Sequence, residues 1–156
     1  MLFVPNFLWT KRQPADYGRY AKNENRVLLG FERVGEVIVT VAALVFSDLN
    51  PRFPLSPWAI WLGASLLSML LYEVFWIRYF GSPRTMRDFY RSLLGIPVAG
   101  ATLPVIAFAL LAVYGGNPIL FFGTAILGIG HIGIYLRHAE ESRRDEGKAS
   151  ASDPEE

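Results

Sequence analysis

A chain of 156 residues that is 52% hydrophobic and 19% charged has room for one domain and is too apolar for an ordinary soluble one. Fifteen Lys and Arg against fourteen Asp and Glu leave a formal charge of +1, which gives no basic footprint for nucleic acid, and the lack of cysteine excludes disulfides, thiolate metal sites and a cysteine nucleophile. The charges crowd into the first 33 positions, the stretch 78–91 and the tail beyond 137, with long apolar blocks between them.

The opening stretch MLFVPNFLWTKRQPADYGRY lacks the basic start, sustained apolar run and small-residue cleavage site of a secretory signal, so it is expected to be retained. Its Leu2, Phe3, Val4, Phe7, Leu8 and Trp9 suit either the headgroup region of a membrane or a cover over the ends of the helices that follow. A first span is predicted over about 27–47, starting near Asn23, with Glu32, Arg33 and Glu36 at its entrance and an apolar part from Val34 to Phe46. The run SDLNPRFPLSP, with three prolines, ends it in a turn. The second span, about 58–78, is long enough for roughly 30 Å of helix, the thickness of the hydrocarbon core. Glu73 is its only acid, and Trp58 and Trp61 at one end with Trp76 and Tyr79 at the other are expected to form aromatic belts.

Ser82 as cap and Pro83 as first residue then predict a short interfacial helix, with Met86, Phe89 and Tyr90 on its apolar face and Arg84, Arg87 and Arg91 near anionic lipid headgroups. The third span, about 93–114, contains Gly95, Pro97, Gly100 and Pro104, with a kink expected near Pro104. Gly115-Gly116 make a turn, and Asn117 and Pro118 cap and open a fourth span over 118–138 that should pair with the third as an antiparallel hairpin. Gly123, Gly128, Gly130 and Gly133, facing Gly95, Ala99 and Gly100, are the expected hairpin contact. Residues 1–140 thus form one domain, and 141–156 a disordered tail.

Lys and Arg number six up to Arg33, one between the first two spans, four from Arg78 to Arg91, none between spans three and four, and four from Arg137 onward. That alternation predicts an all-α bundle of four transmembrane helices in a cell inner membrane, with both termini cytoplasmic. With this topology Glu36, Glu73 and His131 all fall roughly 5 to 9 Å inside the cytoplasmic boundary. An ionisable group there costs less than the ~3 kcal/mol of a charge at a helix centre, and less again where such groups face one another. The predicted site is therefore a cytoplasm-facing cleft with Glu36, Glu73 and His131 at its floor and Arg33, Arg78, Tyr72, Tyr135 and His138 at its mouth. Read without function, the same residues pair to fix helix register or extend to the interface.

Chemistry narrows the use of such a cleft. A di-iron site wants Glu-x-x-His pairs that neither Glu36 nor Glu73 supplies, and a zinc set drawn from Glu36, Glu73, His131 and His138 has no ligand-spacing motif, so no metal and no cofactor are expected. Carboxylates and a histidine in low dielectric do suit proton exchange. The run Leu136-Arg137-His138-Ala139-Glu140-Glu141 resembles the Arg-His and Glu-Glu elements near the C-terminus of membrane-embedded isoprenylcysteine and phospholipid methyltransferases. That resemblance covers six residues and lacks the family's proline and glycine context. The leading expectation is proton- or cation-linked transport of a small solute by an oligomer. The alternatives are an accessory or assembly subunit gripping a partner membrane protein, and a membrane-embedded enzyme acting on a lipid, with the acids and histidines as acid-base groups.

Overall fold

In the computed structural model, which describes residues 3–22 and 24–152, the chain forms seven α-helices: α1 (Phe3–Thr10), α2 (Tyr17–Ala21), α3 (Arg26–Val45), α4 (Ile60–Phe80), α5 (Met86–Tyr90), α6 (Ala99–Gly115) and α7 (Pro118–Ser152). Among the described residues the only strand-like feature is a bridge between Leu93 and Ile96. Local chemistry sets the boundaries. Asn25 starts α3, its Oδ1 accepting from the N–H groups of Val27 and Leu28, whereas the expected start at Asn23 lies outside the described residues. Asn117 caps α7 through Leu120 N–H at 2.9 Å, as its place before Pro118 predicts. Gly116, at φ 63°, makes the left-handed turn that ends α6.

Three boundaries differ from expectation. Helix α6 begins at Ala99 and not near residue 93, because Leu94, Gly95 and Val98 all have positive φ and cannot belong to a right-handed helix. The short helix begins at Met86, capped by a reciprocal box between Thr85 and Asp88, and not at Ser82-Pro83. Its Met86, Phe89 and Tyr90 are buried in the protein, so α5 closes one end of the bundle with the face that was expected to meet lipid. Finally, α7 runs on through the tail expected to be disordered. Asp145 accepts from the Tyr20 hydroxyl at 3.0 Å and pairs with Arg19 at 3.1 Å, which ties the extension to α2.

Packing runs in one sequence, α4 on α6, α6 on α7 and α7 on α3, so α3 and α4 are the outer members of a curved row. One core is aliphatic, built from Val39, Ala42, Leu49, Ala112, Leu120 and Leu127. The other lies at the α5 end and is largely aromatic, with Tyr72, Phe75, Trp76, Tyr79, Phe89 and Tyr90. Trp76 and Tyr79 therefore belong to the core and not to an aromatic belt, while Trp58 is half exposed at the other end of α4 and donates to Tyr114 O at 3.0 Å. Trp9 stacks on Phe89, so α1 covers the helix ends with one face and leaves Val4 and Phe7 exposed on the other.

The glycines of α7 also face another way than expected. A Cβ on Gly130 would run into the backbone of Glu32 and Leu28, one on Gly123 into Ile38, and one on Gly133 against Leu28, all on α3. Only Gly128 among the four meets α6, at Val105, and Gly100 of α6 meets Phe75 of α4. On α3 itself Gly35 lies against the Leu127 backbone. The small residues build the α3–α7 seam and not the α6–α7 hairpin.

Among the described residues two helices are long and apolar enough to cross a membrane, Pro57–Phe80 and Pro118–Asp145. Helix α6, at 17 residues, spans about 25 Å against a hydrocarbon core of about 30 Å. Helix α3 has the length but carries Glu32, Arg33 and Glu36. The fold is all-α with two such helices, a narrower result than the expected four-span bundle.

Candidate functional site

The α3–α7 seam positions the first pair of reactive groups. With no side chain at Gly35 or Gly130 the two helices approach backbone to backbone, which carries Glu32 of α3 to His131 of α7. His131 Nδ1 lies 2.5 Å from Glu32 Oε1, and the two side chains are 22% and 13% exposed. Since an ionised carboxylate only accepts, Nδ1 is the donor in that state and the pair holds a charge-assisted bond whichever form Nε2 takes. The His131 ring also packs on Tyr135, with centroids 4.7 Å apart.

Beside this pair is a cavity of about 370 Å³, bounded by α1, α3, α4, α6 and α7 and lying in the gap between the outer helices α3 and α4. That volume is at the small end of the ~300–1,000 Å³ range of small-molecule sites. Its walls change character along the helices. Asn6, Glu36, Tyr72, His131 and Tyr135 line the part nearer α1, and Val39, Pro104, Val105, Phe108 and Leu127 line the part farther from it, with Thr40 between. Glu36 Oε2 accepts from Arg33 Nη1 at 2.9 Å, a half-exposed pair at the edge of the cavity. The result is an amphipathic cleft, acidic and aromatic at one end and aliphatic at the other.

Of the predicted site residues, Glu36, Tyr72, His131 and Tyr135 line this cavity, and Arg33 reaches it through Glu36. The other three are elsewhere. Glu73 does not line the cavity, because it follows Tyr72 by about 100° around α4. One of its oxygens is buried with no hydrogen-bond partner. Arg78 donates to the carbonyls of Ser92 at 2.9 Å and Arg91 at 3.2 Å, fastening α4 to the loop after α5. His138 is buried in the aromatic core, with Nδ1 2.9 Å from the Tyr90 hydroxyl and Nε2 3.9 Å from Glu24 Oε1. Glu36, Glu73 and His131 therefore do not form a trio, and the acid that holds His131 is Glu32. Among the described residues no three carboxylates and histidines gather closely enough to hold a metal ion.

Glu24 and Glu32 give the region near α2 a negative field. Burial and then the charge on Glu32 raise the Glu24 carboxyl above its usual value, with Arg33 pulling the other way. Burial, then Glu24 and Glu32, push the Tyr17 hydroxyl up to about 12, and burial with neighbouring Tyr17 and Glu24 raises Tyr90 further. Two residues that matter here, Glu24 and Asn6, carried no signal in the sequence. Glu32 did, since it shares a helix face with Glu36, and small residues at Gly35 and Gly130 mark where the two helices touch.

Comparison with known protein families, curated proteins and solved structures finds no match for this chain.

Proposed function

We propose that the chain is an integral membrane protein whose α3, α4, α6 and α7 all span the bilayer, with both termini in the cytoplasm, and that its α3–α4 cleft binds a small cationic, amphipathic solute in exchange for protons. The observation that carries this reading is the cleft itself, where Glu36 and His131, itself held by Glu32, share one end with Tyr72 and Tyr135 while the other end is aliphatic. Glu36 is paired with Arg33 at the cavity edge, and an organic cation entering the cleft competes with Arg33 and with protons for that carboxylate. Aromatic faces add affinity for an organic cation, and the aliphatic end suits its apolar part.

Several features support the membrane setting. Only 28% and 33% of the apolar stretches of α4 and α7 are buried within the chain, the reverse of core helices in a soluble protein. Val37, Val41 and Leu44 on α3, Leu67, Leu70 and Ile77 on α4, and Phe122 and Ile129 on α7 are likewise exposed, more apolar surface than water tolerates. Lys and Arg are concentrated at the α1–α2–α5 end, which accords with a cytoplasmic location for it. Because the cleft lies between the two outer helices of the row, a second copy laid against it would complete its walls, so the working unit is an oligomer able to carry the solute across.

Tetraphenylphosphonium, a general lipophilic cation, is a direct probe. Purified protein should bind it, and Glu36→Gln should weaken binding about tenfold or more. Proteoliposomes with an imposed pH gradient should accumulate the probe. Binding that is absent at every pH, or unchanged in Glu36→Gln, ends this reading.

A further inference from the structure

A second cavity, of about 340 Å³, lies between α5 and α7 and is lined by Arg87, Tyr90, Arg91, Ser92, Ser142 and Arg143, together with Ala139. Three arginines line it, and no acid does. We propose that Arg87, Arg91 and Arg143 form a binding site for a phosphomonoester dianion. This site is separate from the α3–α4 cleft and does not depend on what the cleft binds.

The argument starts from charge. Ion pairs among the described residues engage Arg19, Arg33 and Arg144 with carboxylates, and engage none of these three arginines. Asp88, the acid on the helix that carries Arg87 and Arg91, is itself held, against the effect of burial, below the usual carboxylate range by the α5 cap, accepting from Thr85 N at 3.1 Å and from Thr85 Oγ1 at 2.9 Å, with Arg91 a smaller cause, and on α7 Glu140 pairs with Arg144. Arg78, fastened to the carbonyls of Ser92 and Arg91, adds a fourth positive charge behind the cavity. Gathering like charges is unfavourable until an anion joins them, and guanidinium forks match phosphate oxygens geometrically. A phosphomonoester carries a charge of about −1.5 to −2 near neutral pH, so it answers three arginines better than a singly charged phosphodiester.

The floor of the cavity is firm. Tyr90 and Ser142 are buried, Tyr90 is held by His138, and α5 is held by its capping box, so the backbone that carries Arg87 and Arg91 is fixed before a ligand arrives. The arginines expected near headgroups were Arg84, Arg87 and Arg91. Arg84 instead lines a different cavity, in company with Lys11, Arg12, Asp16, Arg19 and Asp145, where the charge is mixed. Arg143 takes its place because α7 continues as a helix past the expected end of the span.

The phosphate could belong to a lipid headgroup or to a soluble molecule, and two measurements separate them. Native mass spectrometry of the full chain in nanodiscs holding equal phosphatidic acid and phosphatidylglycerol should show phosphatidic acid retained about tenfold over phosphatidylglycerol. Replacing all three by glutamine (Arg87→Gln, Arg91→Gln, Arg143→Gln) should abolish the preference, while Arg144→Gln, one position further along α7, should keep it. If the two lipids are retained equally but inorganic phosphate raises the melting temperature of the wild type and not of the triple variant, the ligand is a soluble phosphate. Where the triple variant loses helicity, Arg143→Gln alone, an exposed position, carries the test. Equal lipid retention with no phosphate-dependent stabilisation, or either effect surviving in the triple variant or in Arg143→Gln, overturns the site.

Discussion

Along the α3–α7 seam the contact residues are Gly35, Gly123, Gly130 and Gly133, which permit backbone against backbone at Gly35 and Gly130 and seat the Ile38 and Leu28 side chains at Gly123 and Gly133. At the α5 end the contact residues are rings. Phe89 lies within 5.0 to 6.3 Å, centroid to centroid, of Trp9, Tyr17, Phe75, Trp76, Tyr79, Tyr90 and Tyr135, which come from α1, α2, α4, α5 and α7. The seam fixes a distance, and any atom added to it forces the helices apart. The aromatic layer fixes an arrangement through many shared contacts, so its weakness is the loss of an atom. The two regions should thus respond in opposite ways to changes of volume.

The largest effect is expected where most rings meet. Phe89→Ala removes the centre of the layer and should cost about 3–5 kcal/mol, measured as a lowered unfolding midpoint in detergent. The loss should be accompanied by release of α1 and α2, seen as faster amide exchange in residues 3–22. A cost below 1 kcal/mol, or exchange left unchanged, would mean that the rings are neighbours without being the fastening.

A smaller effect, of reversed sense, is expected at the seam. Gly130→Ala adds one methyl against the Glu32 backbone and should destabilise by about 1–3 kcal/mol, separating Glu32 from His131 as it does so. Gly30→Ala on α3 meets nothing within 4 Å, and should stabilise by up to about 1 kcal/mol through helix propensity alone. The same chemical change thus has opposite signs at Gly130 of α7, which abuts the α3 backbone, and at Gly30 of α3, which faces open space. If both glycines respond alike, the seam is not held by close approach.

These contrasts also show what a sequence can and cannot display. The helices announced themselves through apolar length and through caps such as Asn117-Pro118, because hydrophobicity and capping are local properties. That Gly130 meets α3 and not α6 is not local. A glycine marks a close approach without naming the helix that approaches, and adjacency in the chain favoured the wrong neighbour. For the same reason Glu73 was grouped with His131 by depth alone, although Tyr72 is the residue of that turn which lines the cavity. Depth follows from counting along a helix, whereas azimuth needs the neighbour to be known. The mixed charge beyond residue 140 suggested disorder, but it hid Tyr20 and Arg19 holding Asp145 from across 125 positions of chain.

Glu24 tests whether the two regions are electrostatically joined. It senses Glu32 from the seam, lies 3.9 Å from His138 in the aromatic layer, and is held above its usual carboxyl value by burial first and by Glu32 second, with Arg33 opposing. Because the folded protein binds this proton more tightly than the unfolded chain does, the native state loses stability as pH rises from the usual 4.5 through the raised folded value, and keeps that loss above it. Glu24→Gln cannot ionise. Its stability relative to the wild type should therefore climb across that window and then level off, in denaturation curves taken at a series of pH values. Adding Glu32→Gln to the wild type should shrink the climb, since it removes the second cause and leaves burial. A stability difference that is flat with pH would show that Glu24 is solvated and independent of both regions, while a climb unaffected by Glu32→Gln would confine its coupling to the aromatic side.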